Sequence, residues 1–153
     1  MTPFTLNKVP ELRFGPGRLA DLAPAAEAMA GGGASLLIVA DPALKALGIT
    51  GLACDLLRKA GFGVAVYDGF TGEPSAHDVD TASALARREG AKLVIGLGGG
   101  SALDTAKLVA CCAVSGLAAS AYALCATPLP ANRLPIIAVP TTAGTGSEVG
   151  RAG

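Results

Sequence analysis

Four short runs of Val, Ile, Leu and Ala punctuate the chain, at residues 36–40, 64–67, 93–97 and 136–139. None alternates apolar with polar positions. A strand solvated on one face alternates, whereas a strand covered on both faces reads as an unbroken apolar run, and such strands belong to parallel sheets. Each run stops at a turn former: Asp41, Asp68, the triplet Gly98-Gly99-Gly100, and Pro140. Between the runs the spacing turns helical, over 19–30, 51–60, 79–89 and 102–114. The first three helices halt at glycine: at Gly31, at Gly61 and at Gly90. In 79–89 the residues Val79, Ala82, Leu85 and Ala86 make one stripe, with Asp80, Arg87 and Arg88 elsewhere. The segment 102–114 is apolar almost all round, which predicts a helix buried between other elements. Strand and helix in alternation predict right-handed crossovers and an α/β fold: a doubly wound, Rossmann-like parallel sheet with helices on both faces. No linker interrupts the pattern, so residues 1–153 read as one domain.

Composition narrows the function classes. The chain is 51% hydrophobic, which excludes intrinsic disorder. Twelve acidic and twelve basic residues cancel, so no basic field is available for nucleic acid. Charged residues are 16%, below the ~25% of an ordinary soluble domain. Either helices cover both faces of the sheet, or apolar surface awaits a partner or a second copy. Cys54, Cys111, Cys112 and Cys125 form no CxxC pair, and His77 is the single histidine, a poor basis for zinc. Neither a disulfide framework nor an apolar N-terminal core is evident, and the expected setting is a reducing cytoplasm. Residues 108–132 carry no charge over a length that could span a bilayer. They are rich in Ala, with Cys, Ser and one Gly among them, and end in Pro128 and Pro130, which predicts a buried helix and a Pro-bearing loop, not a membrane segment.

Ligands of open parallel sheets bind outside the carboxyl ends of the strands. Three features stand there. The first is the run from Gly96 to Lys107, Gly-Leu-Gly-Gly-Gly-Ser-Ala-Leu-Asp-Thr-Ala-Lys, which follows a strand and opens a helix. Its glycines allow close backbone approach to a phosphate, and the new helix offers free N–H groups. Ser101 can cap that helix or donate to a phosphate oxygen; a plain strand-to-helix turn is the alternative. It is not a Walker A loop, having no Gly-Lys-Ser/Thr. It is an incomplete dinucleotide fingerprint, with Ser101 at the third glycine and no acidic residue about 20 positions on. The second feature is the loop 140–148, whose Thr141, Thr142, Thr145 and Ser147 could line a cofactor or, for Ser147, cap a following helix. The third is Asp41, which can accept both hydroxyls of a ribose or simply form a turn before Pro42. Asp104 and Lys107 lie three apart and can pair. His77 reads as a polar residue near a helix start, and Cys111 and Cys112 as small core residues.

Together, GGGSALDTAK at 98–107 and PTTAGTGSEV at 140–149 resemble the iron-containing (group III) alcohol dehydrogenases. Phe14-Gly15-Pro16-Gly17 and Val66-Tyr67-Asp68-Gly69 are similar to two further segments of that family. The resemblance implies a dinucleotide-binding domain followed by a helical domain that holds iron or zinc through one Asp and three His. There the metal polarises a small alcohol or aldehyde and hydride passes between it and NAD. It implies that Asp41 meets the adenosine ribose and favours NAD over NADP. Gly98, Gly99, Gly100, Ser101 and Asp104 would hold the pyrophosphate region, and Thr141, Thr142, Thr145 and Ser147 the rest of the groove. It assigns no catalytic or metal-binding residue to this chain, because the family's ligands fall beyond residue 153. Glu73-Pro74-Ser75 stands where the family reads Asn-Pro-Thr, and the tail Gly150-Arg151-Ala152-Gly153 leaves the family pattern. The expectation is therefore a truncated chain that binds NAD without turning over alcohol. The alternatives are a non-catalytic module docking through an apolar face and a generic phosphate-binding α/β domain.

Overall fold

The computed structural model describes residues 10–70, 72–125 and 127–149, so expectations for the first nine residues and for the 150–153 tail lie outside it. Four strands, β1 (Ser35–Ala40), β2 (Gly63–Tyr67), β3 (Leu93–Gly98) and β4 (Ile136–Pro140), form one sheet in the order β2-β1-β3-β4. All pairings are parallel. Helices α1 (Leu22–Ala30), α2 (Ala43–Ala46), α3 (Ile49–Lys59), α4 (Ala76–Arg88) and α5 (Gly100–Ser115) pack on its two faces.

The unbroken apolar runs have the cause inferred for them. Successive side chains of a strand point to opposite faces, and each face here meets helices. Leu36, Ile38, Leu93, Ile95 and Leu97 join Leu22 and Ala26 of α1 and Ala53 and Leu57 of α3 in one core. Leu37, Val39 and Val94 join Val79, Ala82 and Ala86 of α4 and Ala106 and Val109 of α5 in the other. Every residue of β3 is buried, and each large aliphatic so covered contributes about 1.5–3 kcal/mol. Helix α5 is apolar all round because it lies between β3 and α4. Cys111 and Cys112 sit inside that packing, and burial pushes both thiols up, Cys112 to about 11. They are protonated core residues.

Three departures from the sequence pattern have local causes. The expected helix over 19–30 begins as a 3-10 turn, Arg18–Asp21, and becomes α-helical only at Leu22. Pro24 has no N–H to give a carbonyl four residues back, so it is tolerated only in a first turn. Short α2 was not foreseen; the Asp41 carboxylate starts it by accepting from the Ala43 N–H at 3.0 Å. A second 3-10 segment, Ala119–Cys125, occupies part of the expected Pro-bearing loop. Asp80 of α4 anchors it by accepting from the Ala119 N–H at 2.7 Å, a partner 39 residues away. Among the described residues no helix is long and apolar enough to cross a membrane.

Helix α4 opens with a capping box. The Ser75 hydroxyl accepts from the Asp78 N–H, and the Asp78 carboxylate accepts from the Ser75 N–H at 2.8 Å and from its hydroxyl at 2.6 Å. These bonds, with one from Tyr67, hold the Asp78 carboxyl down to about 2. Replacing Ser75 by Ala should cost about 1 kcal/mol, read as a lower urea midpoint at unchanged slope. The depressed carboxyl adds a pH dependence. Its contribution is complete above the unfolded pKa near 4 and is lost as pH falls toward about 2. Asp78→Asn should therefore be less stable than the parent at pH 7, and the two urea midpoints should converge by pH 2.

Candidate functional site

The chain leaves β1 toward β2 on one side and leaves β3 toward β4 on the other. That divergence opens a crevice at the carboxyl ends of the two central strands, the switch point of a doubly wound sheet. Two backbone bonds stitch its floor. The Asp41 N–H donates to the Leu97 carbonyl and the Thr141 N–H to the Gly98 carbonyl, each at 2.9 Å. Gly98 stands at the centre with φ +148°. A Cβ there would lie 2.7 Å from the Asp41 Cβ and 2.9 Å from the Ala102 Cβ. Only glycine meets both the dihedral and the space. Gly96 plays a packing role one turn below: its Cβ would fall 3.0 Å from the Ala106 Cβ, so α5 lies directly on β3.

An open cleft of about 460 Å³ lies over this turn, lined by Asp41, Pro42, Ala43, Phe70, Gly72 and Ser101. Asp41 and Ser101, far apart in sequence, meet here. Asp41 also does the turn-forming work that its place before Pro42 suggests, through the bond to Ala43. Ser101 is not the helix cap. Helix α5 starts one residue earlier, at Gly100, with Gly99 in the N-cap position and no side-chain cap. Ser101 lies exposed in the first turn. Gly99 can cap because an extended N-cap conformation (φ −77°, ψ −174°) leaves its own carbonyl free to accept from Leu103 at 3.1 Å.

The second loop packs against the other side of the same glycines. The Thr142 hydroxyl oxygen lies 3.3 Å from where a Gly99 Cβ would be, and the Ser147 hydroxyl oxygen 3.1 Å and the Thr145 Cβ 3.3 Å from that of Gly100. Thr141 enters through its backbone, in the bond to Gly98. Ser147 does not cap a helix among the described residues. Its hydroxyl donates to Asp104 Oδ2 at 3.3 Å, while Lys107 Nζ donates to Asp104 Oδ1 at 2.9 Å. Asp104 thus ties α5 to the loop. The sequence-derived residues fall into two groups, Asp41 with Ser101 in the cleft and the hydroxyls with Asp104 behind it, joined at the glycine turn.

Sequence reasoning missed the far wall of the cleft, Phe70 and Gly72, on the loop after β2. The clue was the cluster of breakers at 68–74, which sits at the same sheet end as Asp41. His77 is exposed on the first turn of α4. Among the described residues no three His, Cys, Asp or Glu side chains gather as a metal site.

A doubly wound domain with a glycine-walled crevice at its switch point defines an α/β class of protein whose ligands bind at the carboxyl ends of the strands. Residues 10–153 match the family described as iron-containing alcohol dehydrogenase, and the chain belongs to that family. Long-chain-alcohol dehydrogenase 1 of Geobacillus thermodenitrificans is 41% identical over 142 residues, 92% of this chain and 35% of that protein. The sulfoacetaldehyde reductase of Bifidobacterium kashiwanohense, solved in complex with NAD+, superposes with a TM-score of 0.86 at 31% identity, over 97% of this chain and 39% of its own. The NADH-dependent butanol dehydrogenase A of Thermotoga maritima also gives 0.86, at 26% identity, over 95% and 36%. The chain spans about a third of the length of the curated relatives it matches.

Gly98→Ala should be among the most damaging single changes at this site, costing about 2–3 kcal/mol through dihedral strain and overpacking. Gly99→Ala, in extended backbone and facing only a movable Thr142 hydroxyl, should cost about 1 kcal/mol or less. Paired urea denaturation curves check the order.

Proposed function

We propose that residues 1–153 are the dinucleotide-binding portion of an NAD-dependent alcohol dehydrogenase of the iron-containing type. The observation that carries this reading is the cleft in which Asp41 and Ser101 meet over the Gly98 turn. Asp41 accepts the adenosine ribose hydroxyls and repels a 2′-phosphate, which favours NAD over NADP. Gly98, Gly99, Gly100 and Ser101 let the pyrophosphate approach the uncapped start of α5, where backbone N–H groups and the helix dipole attract anions. Thr141, Thr142, Thr145 and Ser147 line the continuation of the groove, and Asp104 acts there through its bonds to Ser147 and Lys107. Bound NAD supplies a hydride acceptor for an alcohol, or as NADH a donor to an aldehyde. The NAD+ complex of the Bifidobacterium reductase and the NADH dependence of the Thermotoga enzyme support this assignment.

The donor set described does not fit an iron or zinc site. A metal would draw on the part of the relatives that this chain does not match. Cys54, Cys111 and Cys112 are free thiols, which supports a reducing, cytoplasmic setting. Leu12, Phe14 and Leu47 stand exposed, which supports contact with further protein, including a second copy of the chain.

Titration of the chain with NADH, followed by nicotinamide fluorescence, tests the reading; the chain has no Trp to interfere. Saturable binding is expected, weakened about tenfold for NADPH. Asp41→Gly should lose affinity for NADH and narrow the difference between the two. Competition by inorganic phosphate or sugar phosphates equal to that by NAD would replace this reading with a generic phosphate-binding domain. With NAD and a primary alcohol, the metal-stripped chain should show no turnover above background, and clear turnover would refute the division of labour proposed.

A further inference from the structure

The cleft has two walls of different origin. One, carrying Asp41 and Ser101, is built on the buried central strands. The other, carrying Phe70 and Gly72, belongs to the loop between β2 and α4, and β2 is an edge strand. A loop on an edge strand has little to hold it, so its tethers decide whether the second wall exists. Phe70 is one tether, sunk in the core and 3% exposed. Asp68 is another, paired with Lys45 of α2 at 3.0 Å, an exposed contact of small energetic weight.

Tyr67 provides the third. It is the last residue of β2, level with Val39 in the ladder, and its ring packs toward the core beside α4. The ring lies under the loop: a Cβ on Gly69 would fall 3.3 Å from it, and the Phe70 ring centroid is 6.3 Å away, tilted by 37°. The Tyr67 hydroxyl donates to Asp78 Oδ1 at 2.8 Å. The other oxygen of Asp78 holds Ser75, where the loop ends. One phenol therefore links the strand at which the loop begins to the helix cap at which it ends. Burial, and then the carboxylate it faces, push this phenol up to about 12, so it is protonated and a donor at neutral pH.

We propose that Tyr67 is a positioning residue for the bound dinucleotide: through Asp78 it fixes the β2–α4 loop, and so sets Phe70 and Gly72 as the wall opposite Asp41 and Ser101. This rests on the reading of the cleft as a dinucleotide site. Asp41, Pro42 and Ala43 make up most of the facing wall, so Phe70 and Gly72 bear chiefly on the adenosine end of the ligand, while the pyrophosphate takes its main hold from the glycines and the start of α5.

Tyr67→Phe in the full chain, which keeps the ring and removes the hydroxyl, tests it. NADH and ADP-ribose should each bind about three- to tenfold more weakly, while the dissociation constant of inorganic pyrophosphate, measured by calorimetry, stays unchanged. Leu85→Ala, which thins the core packing of α4 away from the cleft, is the stability control. It should lower the melting temperature at least as much and leave the NADH dissociation constant, measured well below melting, within about twofold. Unchanged NADH affinity in Tyr67→Phe overturns the proposal alone. So does an equal loss of NADH and pyrophosphate binding, or an equal loss of NADH binding in the Leu85 control, since either means general loosening. Absence of saturable NADH binding by the parent chain overturns the dinucleotide reading and takes this proposal with it.

Discussion

The hydrogen-bonded register of β1 against β3, from Leu36 on Leu93 to Ala40 on Leu97, is the constraint on which the remainder rests. It puts the last residues of two strands side by side and then sends their chains apart. Because both strands are buried on both faces, a slip of one residue would turn each apolar side chain against the wrong helix layer. The register is thus fixed by the cores above and below the sheet. The Asp41 N–H, bonded to the Leu97 carbonyl, extends it by one step into the loops. Gly98 then has no freedom: the side chain of Asp41 and the first turn of α5 occupy the space a Cβ would need. The cleft follows from the packing of the sheet, not from the loops alone.

Most of this was legible in the sequence because the decisive signals are local. Apolar runs without alternation pointed to strands covered on both sides, and glycines marked where helices stop. Residues 93–97 and the triplet that follows placed the crevice within a residue or two. What escaped depended on partners distant in the chain. The 3-10 segment after α5 is held by Asp80, and the far wall of the cleft is held from β2 and the start of α4. The helix expected from 79 begins at Ala76, because Ser75 and Asp78, a Ser followed three residues later by an acid, cap it; that local signal was overlooked, and the tie to Tyr67 is not local at all. For Ser101 the residue type left two roles open, a helix cap or a donor to phosphate, and the cap is not made. The helix instead begins at Gly100 with Gly99 before it, and no side chain caps the first-turn N–H groups.

The polar residues near the crevice serve mostly as fasteners. Asp41 opens α2, Asp78 opens α4, Asp80 pins the connection after α5, and Asp104 couples Ser147 to Lys107. In a chain with only twelve acidic residues, this is a large share spent on joining elements.

Strand β4 has a single strand neighbour among the described residues, is half-buried along its length, and ends at Pro140, which has no N–H to give. Its amides should exchange with solvent through small local openings, long before those of β1 and β3, which open only with the whole domain. The hydroxyl-bearing loop that follows hangs from this edge strand, while the glycine turn it touches is bolted to the fully buried β3. Any ligand bridging the two would convert a fluctuating rim into part of the rigid centre. Its hold on the protein would then be written in slowed deuterium uptake at 136–147 more clearly than in any displacement of atoms.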